Sequence, residues 1–71
     1  MDENEIIIKA IKLFTEKQND QPSQNDSFIV TKDRKDYVIL RNINGMLAVY
    51  SITGDDYLRP LKKIPDWVDK I

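Results

Sequence analysis

The dipeptide Asn44–Gly45, set between two apolar runs, restricts the fold of this chain more than any other feature. Residues 37–43 before it and 46–52 after it are dominated by β-branched, aromatic and other apolar side chains. Such runs are typical of strands, and Asn-Gly tolerates the positive φ angles of a tight turn. The sequence therefore predicts a β-hairpin across residues 37–52.

The register of this hairpin depends on the length of its loop. A two-residue loop would place Leu40 opposite Val49, whereas a three-residue bulged loop would place Ile39 opposite Val49. The sequence does not distinguish these two registers.

The second strand of the hairpin is apolar on both faces, because successive side chains of a strand point to opposite sides. The expected division is Met46, Ala48, Tyr50 and Ile52 on one face, and Leu47 and Val49 on the other. One helix is about 10 Å wide and shields one face. The other face therefore requires the C-terminal tail or a second protein chain as its cover.

Residues 2–17 are predicted to form the covering helix. Asp2 is placed to cap the first free amides, and Glu5, three residues later, completes a capping-box pattern. At about 100° per residue, six apolar side chains share one arc of this helix. They are Ile6, Ile7, Ala10, Ile11, Leu13 and Phe14.

A polar loop and a β-meander are predicted to follow the helix. Residues 18–27 contain no apolar residue except Pro22, so we expect a loop that adds nothing to the core. An antiparallel meander is predicted over residues 28–63. Whether Phe28–Thr31 forms one of its strands is left open by the sequence.

The last strand of the meander, Tyr57–Arg59, is expected at an edge of the sheet, because Pro60 lacks the amide that an interior strand needs. The tail, residues 64–71, is expected to form a short helical turn that docks on the sheet. These elements predict one α+β domain, residues 1–71. Its N-terminal amphipathic helix packs on a three- or four-stranded antiparallel β-meander, with a short C-terminal helical turn.

The composition argues against catalysis. The 71 residues include no His and no Cys, which excludes zinc sites with those ligands, Ser-His triads and thiolate nucleophiles. Both glycines are accounted for by turns, so no phosphate-binding loop is expected. Asp55 and Asp56 are expected in a solvated turn, since the spacing of a calcium loop is absent. We therefore expect a protein that is not an enzyme and has no cofactor and no metal site.

The sequence contains no signal-peptide pattern and no stretch of about twenty apolar residues. It also lacks the cysteines that small secreted domains use for disulfides. We therefore expect a cytoplasmic protein that does not bind membranes.

Protein binding is the function that this elimination favours. The leading hypothesis is a small non-enzymatic interaction module that binds through an incompletely covered sheet face or an edge strand. Its partner would be an unknown protein or a second copy of the chain. The residues expected in the interface are Tyr37, Leu47, Val49, Tyr57 and Trp67. The sequence identifies neither the partner, nor the pathway, nor the oligomeric state.

Nucleic-acid binding is the alternative function. Basic residues lie near tyrosines in the turns and the edge strand, a combination used for single-stranded nucleic acids. The candidate contacts are Arg34, Lys35, Arg59, Lys62 and Lys63. However, residues 27–71 carry eight basic and six acidic residues, and the whole chain has a net charge of -1. This mixture is more typical of a solvated surface than of a nucleic-acid interface.

Overall fold

The fold is one helix followed by a four-stranded antiparallel meander, which confirms the predicted α+β class. The computed structural model describes residues 2–54 and 57–70. The elements are α1 (Glu3–Thr15), β1 (Phe28–Lys32), β2 (Lys35–Asn42), β3 (Gly45–Ile52), β4 (Leu58–Pro60) and a C-terminal 3-10 helix (Asp66–Lys70). The strands lie in the order β1-β2-β3-β4. Asp55 and Asp56 of the expected turn, and Ile71 of the tail, lie outside the described residues.

Helix α1 begins where its cap predicts. The side chain of Asp2 accepts a hydrogen bond from the backbone N–H of Glu5 at 2.9 Å, which satisfies one of the free amides of the first turn. The helix ends at Thr15, two residues before the predicted end at residue 17. Phe14 is the last apolar residue of the helix, so a further turn would have no surface to pack on.

A two-residue turn joins β1 to β2 and establishes Phe28–Thr31 as part of a strand. Lys32 pairs with Lys35, and Asp33 and Arg34 between them have φ angles of 53° and 69°. Two consecutive positive φ angles are the signature of the hairpin turn whose twist matches that of the flanking strands. Neither residue is glycine, so local sequence alone offered little indication of this turn type.

The β2–β3 hairpin adopts the register with Ile39 opposite Val49 and Leu40 opposite Ala48. The register then shifts between Leu40 and Arg41, because Arg41 pairs with Met46. Leu47 is therefore an extra residue in β3, and the strand bulges there.

The bulge reverses part of the predicted division of β3 between the two faces. Leu47 packs with Ala48 on the side that α1 covers, and Met46 packs on the opposite side with Val49. The sequence-based division placed Met46 with Ala48 and Leu47 with Val49, and it was wrong because it assumed an uninterrupted pleat.

Two apolar clusters result, one on each face of the sheet. The helix-side core contains Ile6, Ile7, Ala10, Phe14, Val38, Leu40, Tyr50 and Leu58. The tail-side core contains Ile39, Val49 and Val68, with Phe28, Val30, Tyr37, Met46, Leu61 and Trp67 packed around it. The tail of the chain thus covers the face that α1 does not reach.

The loop between α1 and β1 adds no residue to the two apolar clusters, but it makes hydrogen bonds that the sequence did not predict. Pro22 and Ser27 are both buried there. The hydroxyl of Ser27 donates to the carbonyl of Ser23 at 2.8 Å and accepts from the backbone N–H of Arg41 at 3.1 Å. The amide of Ser23 in turn donates to the carbonyl of Arg41 at 2.8 Å. The loop therefore provides hydrogen-bond partners for the N–H and C=O of Arg41, a β2 residue that β1 does not reach.

A Ser27→Ala substitution tests the contribution of these loop hydrogen bonds to stability. We expect it to lower the free energy of unfolding by about 1–2 kcal/mol, because the Arg41 amide loses its partner in a partly buried place. Urea denaturation followed by circular dichroism measures the change. Ser23→Ala is the matched control, since only the backbone of Ser23 takes part in these bonds. Equal losses in the two variants would contradict the assignment.

Gly45 allows a test of how much the backbone conformation of one residue contributes to stability. Its φ is +122°, and no heavy atom lies within 4 Å of the position that an added Cβ would take. A Gly45→Ala variant therefore meets no steric obstacle beyond its own backbone. We expect it to lose about 1–2 kcal/mol of unfolding free energy from that backbone strain. Gly54→Ala, which is equally free of neighbours and has no such φ, should change stability by less than about 0.5 kcal/mol. Thermal denaturation of both variants makes the comparison.

Candidate functional site

The five residues predicted for a protein interface do not form one surface. Val49 is only 2% exposed, because Val68 of the tail packs on it in the tail-side core. Leu47 lies on the opposite side and lines a cavity with Leu13 and Phe14 of α1. Of the two residues that prompted the hypothesis of an open second face, Val49 is thus covered by the tail, and Leu47 is partly buried beside α1.

The three predicted aromatic residues are also divided. Tyr37 and Trp67 pack edge to face on the tail side, with ring centroids 5.1 Å apart and planes at 61°. This contact fixes the tail on β2, and Trp67 acts as a partial lid over the tail-side core. Tyr57 is 64% exposed and lines a separate cavity with Leu13 and Lys17 of α1.

Two of the five predicted nucleic-acid contacts meet at one cavity. Lys35 and Arg59 line an open cavity of about 460 Å³ on the tail side, together with Tyr37, Ser51 and Leu61. Ser51 pairs with both Tyr37 and Arg59 across the sheet, so the cations flank a tyrosine and a hydroxyl. In the part of the chain that the structure describes, no carboxylate lines this cavity.

The remaining basic candidates lie apart from this cavity. Arg34 occupies the β1–β2 turn, and Lys62 and Lys63 follow β4; all three are exposed and do not line the cavity. The sequence placed all five basic residues in one set because they are close to tyrosines along the chain. The structure brings only Lys35 and Arg59 together.

Among the side chains that the structure describes, no three acidic groups come close enough to hold a metal ion. Burial raises the pKa of the Tyr50 hydroxyl above its ordinary value of 10.0, so this side chain stays neutral at physiological pH. No described helix is both long and apolar enough to cross a membrane.

The outer edge of β1 is the functional candidate that the sequence did not single out. The turn at Asp33–Arg34 makes the closing pair Lys32–Lys35 a hydrogen-bonded pair, and such pairs alternate along an antiparallel ladder. The backbone N–H and C=O groups of Ile29 and Thr31 consequently point away from β2. Among the described residues, no backbone group bonds to them on that outer side.

The same alternation explains the bonds of Arg41. Arg41 is in phase with Tyr37 and Ile39, whose backbone groups face β1, and its own N–H and C=O are taken by Ser27 and Ser23. The loop therefore occupies the continuation of β1 and leaves the outer side of β1 open.

The opposite edge of the sheet, β4, is less suited to pairing. The amide of Leu61 donates to Val49 and that of Thr53 donates to the carbonyl of Tyr57, so odd-numbered residues of this segment bond inward. Leu58 and Pro60 face outward, and proline has no N–H to donate. A three-residue strand that lacks this donor is a poor template for another strand.

Comparisons with known proteins add no functional information: no protein family, no curated protein and no solved structure matches the chain. A function for this chain therefore has to be inferred from the geometry of the β1 edge and of the cavity between Lys35 and Arg59.

Proposed function

We propose that the chain is a small non-enzymatic interaction module that binds another protein chain along the outer edge of β1. The observation that carries this proposal is the pair of outward-facing residues, Ile29 and Thr31, whose backbone groups have no backbone partner among the described residues. An added strand would satisfy these donors and acceptors by main-chain hydrogen bonds.

The rest of the molecule favours the β1 edge, and not either face of the sheet, as the binding surface. Both faces are covered, one by α1 and the other by the tail with Trp67 and Val68. The β1 sequence Phe28–Lys32 is rich in β-branched residues and contains no proline, so it has none of the protection found in β4. The lack of His and Cys in the sequence supports a non-enzymatic role.

Partner capture from a native lysate tests this proposal when the wild type is compared with a Thr31→Pro variant. Proline at this position removes an outward N–H and also the hydroxyl that donates to the Asp36 carboxylate on β2. The inward backbone bonds between β1 and β2 stay in place. We expect the specifically captured proteins, or self-association, to be lost in this variant. Arg59→Ala on β4 is the control and should retain them. Capture that is identical in Thr31→Pro and the wild type would contradict binding at the β1 edge.

Nucleic-acid binding is retained as a second candidate because Lys35 and Arg59 flank Tyr37 at one cavity. A short single-stranded RNA or DNA could place a phosphate between the cations and a base on the ring. Affinity for a labelled oligonucleotide should then fall as salt is raised. It should fall further in the Lys35→Ala/Arg59→Ala double variant than in Lys62→Ala/Lys63→Ala, which removes two cations outside the cavity. No binding at low salt would dismiss this function.

A further inference from the structure

The outward backbone groups of β1 have the two-fold symmetry that an antiparallel edge strand offers to a second copy of itself. The five residues Phe28–Lys32 have their outward backbone groups at Ile29 and Thr31, placed symmetrically about Val30. An antiparallel copy of the same strand, related by a two-fold axis through Val30, presents the same groups at matching positions.

We infer that the strand which binds this edge is β1 of a second copy of the chain, forming a dimer with one continuous eight-stranded sheet. This inference rests on the proposed function and specifies its partner. Ile29 of each copy lies opposite Thr31 of the other and exchanges two backbone hydrogen bonds with it. Four bonds therefore form, and each of the outward groups of Ile29 and Thr31 gains a partner.

Charge and side-chain packing favour this register. Lys32 of one copy lies opposite Phe28 of the other, so no two like charges face each other and the cation approaches an aromatic ring. The two Val30 side chains meet at the axis. Moving the axis to Thr31 would place Ile29 opposite Asp33, a turn residue with φ of 53°, and would lose the extended pairing.

The exposed flank of α1 provides a separate indication for the same dimer. Leu13, on one flank, lines a cavity with Leu58 and Pro60 of β4. The other flank, with Ile8 and Ile11, therefore faces the β1 side, where it lines a cavity with Pro22 of the loop. Ile8 is 39% exposed there.

Simple geometry brings these flanks together in the dimer. Helix α1 packs on β1 and β2, and neighbouring strands lie about 4.8 Å apart. With α1 centred between β1 and β2, its two copies would be about 10 Å apart across the axis, which is the usual distance between packed helices. The part of Ile8 that stays exposed beside Pro22 would be shielded from water at this contact.

Cross-linking through Val30→Cys tests the register directly. The chain has no native Cys, and residues of a non-hydrogen-bonded antiparallel pair have Cα atoms about 4.5 Å apart, within the range that a disulfide spans. Under mild oxidation, Val30→Cys should form a covalent dimer at least about 10-fold faster than Asn44→Cys, an exposed control on the distant hairpin. Equal rates would overturn the register.

Sedimentation velocity over a range of concentrations tests the dimer itself. The wild type should show a concentration-dependent dimer, and Thr31→Pro should weaken it at least about 10-fold with an unchanged circular dichroism spectrum. Ile8→Lys should also weaken it. Ile64→Lys is the matched control, because Ile64 is likewise 39% exposed but belongs to the tail.

The outcomes separate this inference from the proposed function. A wild type that stays monomeric at all concentrations overturns the dimer, and the proposed function then stands only if Thr31→Pro still abolishes capture of a different protein. A dimer that is unaffected by both Thr31→Pro and Ile8→Lys overturns the inference too, since another surface must hold it.

Discussion

A Leu40→Ala variant is expected to unfold with about 3 kcal/mol less free energy than the wild type. Leu40 is fully buried in the helix-side core, between α1 and the sheet. Truncating a buried leucine removes its transfer free energy and leaves a cavity, at a cost of about 2–5 kcal/mol. A domain of this size has a total stability of about 4–10 kcal/mol, so the variant should retain about 1–7 kcal/mol.

Urea denaturation followed by the circular dichroism of α1 measures this loss. Ile43→Ala is the control, since Ile43 is only three residues away and 93% exposed at the tip of the hairpin. It should shift stability by less than about 0.5 kcal/mol. A loss below about 1 kcal/mol in Leu40→Ala would mean that α1 does not hold the sheet as described.

A Val68→Asp variant is expected to release the tail from the sheet, with a loss of about 3 kcal/mol. Val68 is buried against Ile39 and Val49, and a carboxylate placed there would be desolvated without a partner. Undocking of the tail avoids that cost but exposes the apolar tail-side face. Thermal unfolding should therefore occur at lower temperature, and a dye that binds apolar surfaces should bind more strongly.

Trp67 reports on this change, because it is the only tryptophan in the chain and packs on Tyr37. Its fluorescence emission should shift to longer wavelength in Val68→Asp before any global unfolding. Ile64→Asp tests whether any new acid in the tail has the same effect. Since Ile64 is substantially exposed, the Trp67 emission of Ile64→Asp should match that of the wild type. A red shift in both variants would show that any negative charge added to the tail releases it, whether or not the buried contact of Val68 is lost.

The regular elements were predictable because each has a local physical cause. Asp2 and the apolar arc determine α1, and Pro60 indicates an edge strand. The central hairpin forms as predicted, but its turn residues are Ile43 and Asn44, and Gly45, with its positive φ, pairs with Asn42 as the first residue of β3. These are interactions between residues close along the chain. Docking of the tail was also predictable, since a face with Val49 and Ile39 needed a cover.

Details that depend on distant partners were not predictable. The bulge at Leu47 exchanges the faces of Met46 and Leu47, and no local signal marked it. The burial of Ser27 depends on the Arg41 backbone, fourteen residues away. For the candidate site, the sequence named Lys35 and Arg59 only within a larger set of basic residues. That these two line one cavity depends on the order of the strands.

The β1 edge escaped prediction for a similar reason. The positive φ angles at Asp33 and Arg34 determine which backbone groups of β1 point away from β2. The edge is open also because the backbone hydrogen bonds of the loop before β1 involve residues 23–27 and Arg41, and none reaches Phe28 or the residues after it. The order of strands determines which of them is an edge, and this order emerges only from the assembled sheet.

The missing donor at Pro60 has a consequence for how far such molecules can assemble. If two copies join along β1, both ends of the combined sheet are β4, where an incoming strand would find a short run without the amide of residue 60. Growth of the sheet would therefore terminate after a single addition. With strand pairing confined to β1, two copies would form a closed dimer and would not extend into a fibre.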